Sequence, residues 1–258
     1  MKPQFKQIVI VLVSIFLLSC STEENPSETA VIPEPVAPPT TVPNPDIPNG
    51  PISKSIHYLA LGDSYTIGQS VCETCRFPEQ LKTKLKAFYT ETNFSLQVIA
   101  TTGWTTTHLI SAIIQQKPES NYDLVTLLIG VNNQYQSKDF SVYEKEFPEL
   151  VTKAISLAKG DKKNVMVVSI PDYAYTPYAK NLSDSQKAKI STEINQYNTF
   201  AENYCQTNAI IFINITDITR QGLSNPNLVA SDGLHPSELA YSLFVERLLP
   251  KAKAILQD

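Results

Sequence analysis

From residue 56 onward the apolar residues come in two alternating textures. Short, nearly unbroken apolar runs fall at 56–61 (IHYLAL), 95–100 (SLQVIA), 123–130 (DLVTLLIG), 164–170 (NVMVVSI) and 209–215 (AIIFINI). Runs of that length predict strands, and their lack of polar alternation suits a parallel sheet covered on both faces. Between them the apolar residues recur every three or four positions: Leu81, Leu85 and Phe88 within 78–89, Leu109, Ala112 and Ile113 within 106–116, and Phe147, Leu150, Val151, Ala154, Ile155 and Ala158 within 142–158. That spacing predicts helices with one buried stripe. Pro148 marks a first turn or a kink in the third of them. Ser183 and Gln186 have the spacing of a capping box, opening a helix to about Tyr204. Leu239, Leu243, Val245, Leu248 and Leu249 mark a last helix over 237–256. Five strands separated by helices, with no internal repeat, predict a three-layer α/β/α sandwich around a mostly parallel five-stranded sheet.

The first 53 residues have a different texture. Lys2 and Lys6 precede an apolar run over 8–18 that ends at Ser19-Cys20. A basic start, a short hydrophobic stretch and a small residue at the cut site describe an export signal, too short to remain as a membrane-spanning helix. Residues 21–53 then hold nine of the chain's 18 prolines, five acids and no basic residue. Such a composition cannot bury enough apolar surface to offset ordering, so an extended spacer is expected. The remaining ~200 residues suffice for one domain with a substantial core. Net charge is only −4 and no basic stripe is present, so no nucleic-acid partner is expected.

In open α/β sheets ligands bind beyond the carboxyl ends of the strands, so the breaks after each run matter most. They carry Asp63-Ser64, Gly103, Asn132-Asn133, residues 171–178, and Asp232 to His235. No dinucleotide fingerprint follows the first run, and no phosphate-binding Gly-rich loop ending in Lys-Ser or Lys-Thr occurs, which disfavours Rossmann-type redox chemistry and nucleotide hydrolysis. Acyl transfer by serine needs a base in reach and a carboxylate to fix its tautomer. Of the three histidines, His57 falls in the first strand and His108 at a helix start, both open to structural roles. His235 follows Asp232 by three residues across a glycine-containing turn, a spacing that can aim both side chains at one site. A helix-start pair, with Asp232 satisfying backbone groups, is the plain alternative.

Four segments in order resemble the blocks of the SGNH subfamily of GDSL-type esterases and lipases: ALGDSYTIG, VIATTGWTT, GVNNQ and DGLHP. The resemblance runs from residue 56 to the end and implies a flavodoxin-like SGNH hydrolase fold. It also implies a Ser64, Asp232, His235 triad and an oxyanion hole formed by Ser64, Gly103 and Asn132. Asn133 stands where the family usually has Asp, a supporting position. The implied activity is hydrolysis of carboxylic esters, lysophospholipase-like or on short-chain and O-acetyl esters, with no metal or cofactor. A non-catalytic lipid- or glycan-binding surface lipoprotein is the alternative, and a phosphodiesterase would need a metal cluster that the chain does not show. No GxSxG elbow surrounds Ser64, so a shallow site shaped by its loops is expected. Trp104, Asn133, Tyr173, Tyr175 and Tyr178 are the candidate substrate-pocket residues.

LLSC resembles the lipobox of bacterial lipoproteins, which implies lipidation of Cys20 after cleavage and anchoring in the cell envelope membrane. The expected organisation is therefore a signal peptide over 1–19, a tether over 20–53 and a hydrolase domain over 54–258. In an oxidising compartment Cys72 and Cys75 favour a small structural disulfide over free thiols or half a metal site. Cys205, on an amphipathic stretch, reads as a buried thiol.

Overall fold

The computed structural model describes residues 55–257. The expected signal peptide, Cys20 and the whole of the tether over 20–53 lie outside the described residues. In chain order the elements are β1 (Ser55–Gly62), α1 (Ser64–Ile67), α2 (Phe77–Phe88), β2 (Asn93–Ala100), α3 (Thr106–Gln116), β3 (Leu124–Leu128), α4 (Val131–Tyr135) and α5 (Phe140–Leu157). They continue with β4 (Val165–Val168), α6 (Asp184–Asn208), β5 (Ile211–Ile213), α7 (Thr216–Thr219) and α8 (Glu238–Gln257), and short 3₁₀ turns fill several connections.

All five strands are parallel, in the order β2-β1-β3-β4-β5. β3 and β4 are buried along their whole length, which is why their sequences show no polar alternation. β2 lies at an edge, and its first six residues alternate between exposed and half-buried before Ile99 and Ala100 enter the core. Helices α2 and α8 pack on each other, and α5 packs on both α3 and α6. α5 drives Tyr143, Phe147, Leu150, Val151 and Ala154 into the core. A fully buried side chain of this kind contributes ~1.5–3 kcal/mol, so this stripe holds the helix despite Pro148 in its interior. Pro148 thus sits mid-helix, where it removes the N–H that the Glu144 carbonyl would otherwise accept.

Strand order reverses between β1 and β3, since the chain goes outward from β1 to β2 and returns across β1 to β3. A crevice opens at such a switch point. Three short helices that hydrophobic spacing does not reveal, α1, α4 and α7, follow β1, β3 and β5. Gly62 makes the first of these turns possible: a Cβ there would lie 2.1 Å from Thr66 Oγ1 and 2.4 Å from the Leu128 carbonyl oxygen.

Candidate active site

Asp63 caps α1 by accepting the Tyr65 N–H at 3.0 Å. This leaves Ser64 as the first helical residue, and its own N–H has no partner among the described residues. Ser64 is almost fully buried, yet its side chain borders an open cleft of about 200 Å³. Gly103, Asn132 and His235 line the same cleft. Gly103 adopts φ +84°, a left-handed conformation natural to glycine, and its N–H likewise has no partner among the described residues.

Side chains from the neighbouring turns fix these donors. Asn132 Nδ2 donates to the Trp104 carbonyl at 3.0 Å, spending one of its two hydrogens. Gln136 Nε2 donates to the Gly103 carbonyl at 2.9 Å, and Thr102 Oγ1 donates to Gln69 Oε1 at 2.6 Å. The three loops after β1, β2 and β3 are therefore tied to one another around the cleft.

His235 arrives from the far end of the chain. Its Nδ1 lies 2.6 Å from Asp232 Oδ2, and its backbone N–H donates to Asp232 Oδ1 at 3.0 Å. The Leu234 N–H (2.9 Å) and Ser70 Oγ (2.7 Å) also donate to this carboxylate. Burial alone would raise the Asp232 carboxyl, but the hydrogen bonds from Ser70, His235 and the two backbone N–H groups outweigh it and hold it well below the usual range. An ionised carboxylate only accepts, so Nδ1 carries the proton and Nε2 is left as a base. The Tyr65 ring, 5.3 Å away centroid to centroid and tilted by 52°, steadies the imidazole. No hydrogen bond joins Ser64 to His235 among the described residues; such contacts often close only with substrate in place.

The rim differs from expectation at several positions. Asn133 does not line the cleft: it is fully buried, accepts the Thr106 N–H at 3.0 Å and donates to Thr106 Oγ1 at 2.7 Å. It faces the α3 N-terminus because successive residues of a short helix point to different sides. Trp104 contributes its carbonyl to Asn132 and packs its ring on the core, and is not among the cleft residues. Tyr175 turns away and lies under the Arg220 guanidinium, 5.9 Å from its carbon. Tyr173 does line the cleft, with its hydroxyl donating to Gln134 Oε1 at 2.8 Å. Tyr178 does not line the cleft itself but backs two residues that do: its hydroxyl lies 2.8 Å from that of Tyr135, and its ring packs edge-on against Tyr173, 6.4 Å between centroids. Tyr135, Thr102, Val131, Leu234 and Tyr65 complete the lining. Sequence reasoning missed them, although their places beside Ser64, Gly103, Asn132 and His235 were the available signal.

Cys72 and Cys75 are joined in a disulfide, and Cys205 is a buried free thiol that burial pushes up to about 12. His57 Nδ1 pairs with Ser95 Oγ at 3.0 Å, and His108 caps α3 by accepting the Thr105 N–H, so neither belongs to the cleft. Asp63, fully buried directly before Ser64, is pushed up to about 7 by burial, against the pull of the Tyr65 N–H that it accepts.

A family model described as the GDSL-like lipase/acylhydrolase family matches residues 60–243. No curated protein matches the sequence. Among solved structures, the lipase Lip_vut3 from a goat rumen metagenome superposes with a TM-score of 0.59 at 20% identity, covering 77% of this chain and 98% of that one. The acetylxylan esterase Axe2 of Geobacillus stearothermophilus gives 0.58 at 19% identity, covering 78% and 95%. A G-D-S-L family lipolytic protein of Veillonella parvula gives 0.57 at 18%, covering 76% and 97%. At these identities the structures share the fold.

Proposed function

The chain belongs to the GDSL-like lipase/acylhydrolase family and is a carboxylic ester hydrolase, and on that premise we propose a serine esterase acting through an acyl-enzyme. The observation that carries this reading is the common cleft of Ser64, Gly103, Asn132 and His235, with Asp232 bound to His235 at 2.6 Å. Ser64 Oγ attacks the ester carbonyl while His235 Nε2 takes its proton and delivers it to the departing alkoxide. Asp232 holds the tautomer and offsets the imidazolium charge. The two unpartnered N–H groups, of Ser64 and Gly103, together with the remaining Asn132 amide hydrogen, receive the oxyanion. Each such donor is worth about 3 kcal/mol of the barrier. Water, deprotonated by His235, then attacks the acyl-enzyme and releases the acid.

The preferred substrate in this reading is a short acyl ester, such as an O-acetyl group on a hydroxyl-rich alcohol. A cleft of about 200 Å³ falls below the ~300–1,000 Å³ of pockets that swallow drug-sized ligands. Tyr135, 53% exposed at its edge, offers a flat ring with a polar tip for a sugar to rest on. A second reading, lysophospholipase-like hydrolysis, draws on the apolar Val131 and Leu234 in the lining and on a membrane location. That location is itself part of the proposal: residues 1–19 as export signal, Cys20 as lipidated anchor, 20–53 as spacer and 54–258 as the hydrolase. Among the described residues no helix is long and apolar enough to cross a membrane.

The test is p-nitrophenyl ester hydrolysis from acetyl to decanoyl, beside acetylated glycans and lysophospholipids. Acetyl to butyryl esters should turn over fastest, and Ser64→Ala should remove turnover with an unchanged melting temperature. A wild-type protein inert across the series would leave a binding protein on a hydrolase fold.

A further inference from the structure

Asp232 Oδ2 is shared. It receives His235 Nδ1 at 2.6 Å and the Ser70 hydroxyl at 2.7 Å, the latter from a loop 162 residues away in sequence. Ser70 holds φ +67°, a left-handed conformation that glycine enters freely and serine does not. A turn requiring only that conformation would be satisfied by glycine; the side chain that tolerates the strain here is the one that reaches the carboxylate. Strained residues of this kind persist where the surroundings over-determine them.

The surroundings do so. Two residues beyond Ser70 the Cys72–Cys75 disulfide closes around a single 3₁₀ turn, Glu73–Cys75. Gln80 Nε2 donates to the Cys75 carbonyl at 2.6 Å and to the Glu238 carbonyl at 3.1 Å, so the disulfide ring is fastened to the first residue of α8, three positions past His235. On the other side of Ser70, Gln69 Oε1 accepts Thr102 Oγ1 next to Gly103. The loop is thus pinned to both halves of the cleft, and Ser70 lies between the pins.

We propose that Ser70 is a positioning residue of the Ser64-His235-Asp232 triad, and that the Cys72–Cys75 disulfide is the brace that keeps its hydroxyl on Asp232. This rests on the serine-esterase reading above. The Leu234 and His235 N–H groups hold Oδ1, and Ser70 is the one donor besides the imidazole that holds Oδ2; without it Oδ2 is less firmly fixed on Nδ1, and the imidazole loses part of the alignment that proton transfer needs. Cys72 is exposed, so a dithiol reaches the bond. Two electrons and two protons pass to the pair, giving two thiols, while the reductant closes its own disulfide. The loop is then free to leave its strained conformation.

Ser70→Gly separates the hydrogen bond from the fold, because glycine suits φ +67° without strain. Its melting temperature should equal or exceed that of wild type, while kcat for p-nitrophenyl acetate falls about fivefold and KM stays within twofold, the bond being solvent-exposed and so of modest strength. Wild type reduced with dithiothreitol, and the Cys72→Ser/Cys75→Ser double variant, should show the same fall, and reducing Ser70→Gly should add nothing. Full kcat in Ser70→Gly, or a change confined to KM, overturns the positioning role; full kcat in the reduced wild type overturns the brace. Ser64→Ala, run alongside, distinguishes the levels: lost turnover there with full kcat in Ser70→Gly rejects the Ser70 role alone, whereas surviving turnover rejects the triad and the Ser70 role with it.

Discussion

Asn132 and Asn133 are adjacent and chemically identical, yet truncating each should damage a different property. Asn132→Ala removes the amide hydrogen assigned to the oxyanion and frees the Trp104 carbonyl it holds at 3.0 Å. Loss of one oxyanion donor costs about 2.7–4 kcal/mol of the barrier, a kcat lower by ~10²–10³. Trp104 is only half-buried, so water can take over its carbonyl and stability should fall by ~1 kcal/mol. In a domain of this size that lowers the melting temperature by about 2–4 °C. Asn133→Ala removes two fully buried hydrogen bonds to Thr106, at 3.0 and 2.7 Å, and orphans a backbone N–H at the start of α3. Such losses cost ~1–3 kcal/mol each, so a total of about 3 kcal/mol is expected. The melting temperature then drops by about 6–12 °C. Its kcat, per folded molecule, should fall less than tenfold. Thermal melts and steady-state hydrolysis of p-nitrophenyl acetate on both variants read the two properties separately. An Asn132→Ala enzyme with near-native kcat, or an Asn133→Ala protein with native melting temperature and a kcat reduced a hundredfold, would refute the assignment.

Two further outcomes concern Asp63 and the proposed lipid anchor at Cys20. Asp63, pushed from 3.8 up to about 7 by burial, binds its proton more tightly folded than unfolded. Stability therefore falls as pH rises from about 4 to 7 and levels off above, by about 4 kcal/mol from this group. Asp63→Asn keeps an oxygen to cap Tyr65 and should flatten that slope in urea unfolding at pH 5, 6, 7 and 8; an unchanged slope would show that Asp63 is not its source. Cys20→Ser should move the protein from the membrane to the soluble fraction and abolish labelling by radioactive palmitate, with kcat unchanged; continued membrane retention would reject lipid anchoring.

The sheet was legible because its central strands are buried on both faces and so carry uninterrupted apolar runs. Their ends were less so. The run at 209–215 yields only three strand residues, because Ala209 is taken up as the left-handed cap of α6 at φ +54° and Asn214 turns to accept the Ser169 hydroxyl and the Thr216 N–H. The one-turn helices after β1 and β3 are too short to show periodicity, and they depend on caps and packing that only the fold supplies. The residues at strand ends were legible as chemistry because the switch point dictates where ligands bind. Which loop side chains face the cleft was not, since neither spacing nor composition sets the direction of Trp104, Tyr175 or Asn133.

Ser70 shows the limit most sharply. Its bond to Asp232 links the first loop of the domain to the last, and nothing local in either segment announces it. The loops after β1, β2 and β3 can organise Ser64, Gly103 and Asn132 through neighbouring strands alone, but His235 is placed by a bridge between Val229 and Pro236 and by the packing of α8, which it precedes, on α2. The Gln80 bridge from α2 to Glu238 is part of that docking. A change that loosens α8 without touching the cleft, such as truncating the fully buried Phe244, should therefore weaken general-base function before it disturbs the oxyanion donors. The oxyanion half of the site belongs to the sheet, and the base belongs to the loop that leads into the last helix to close over it.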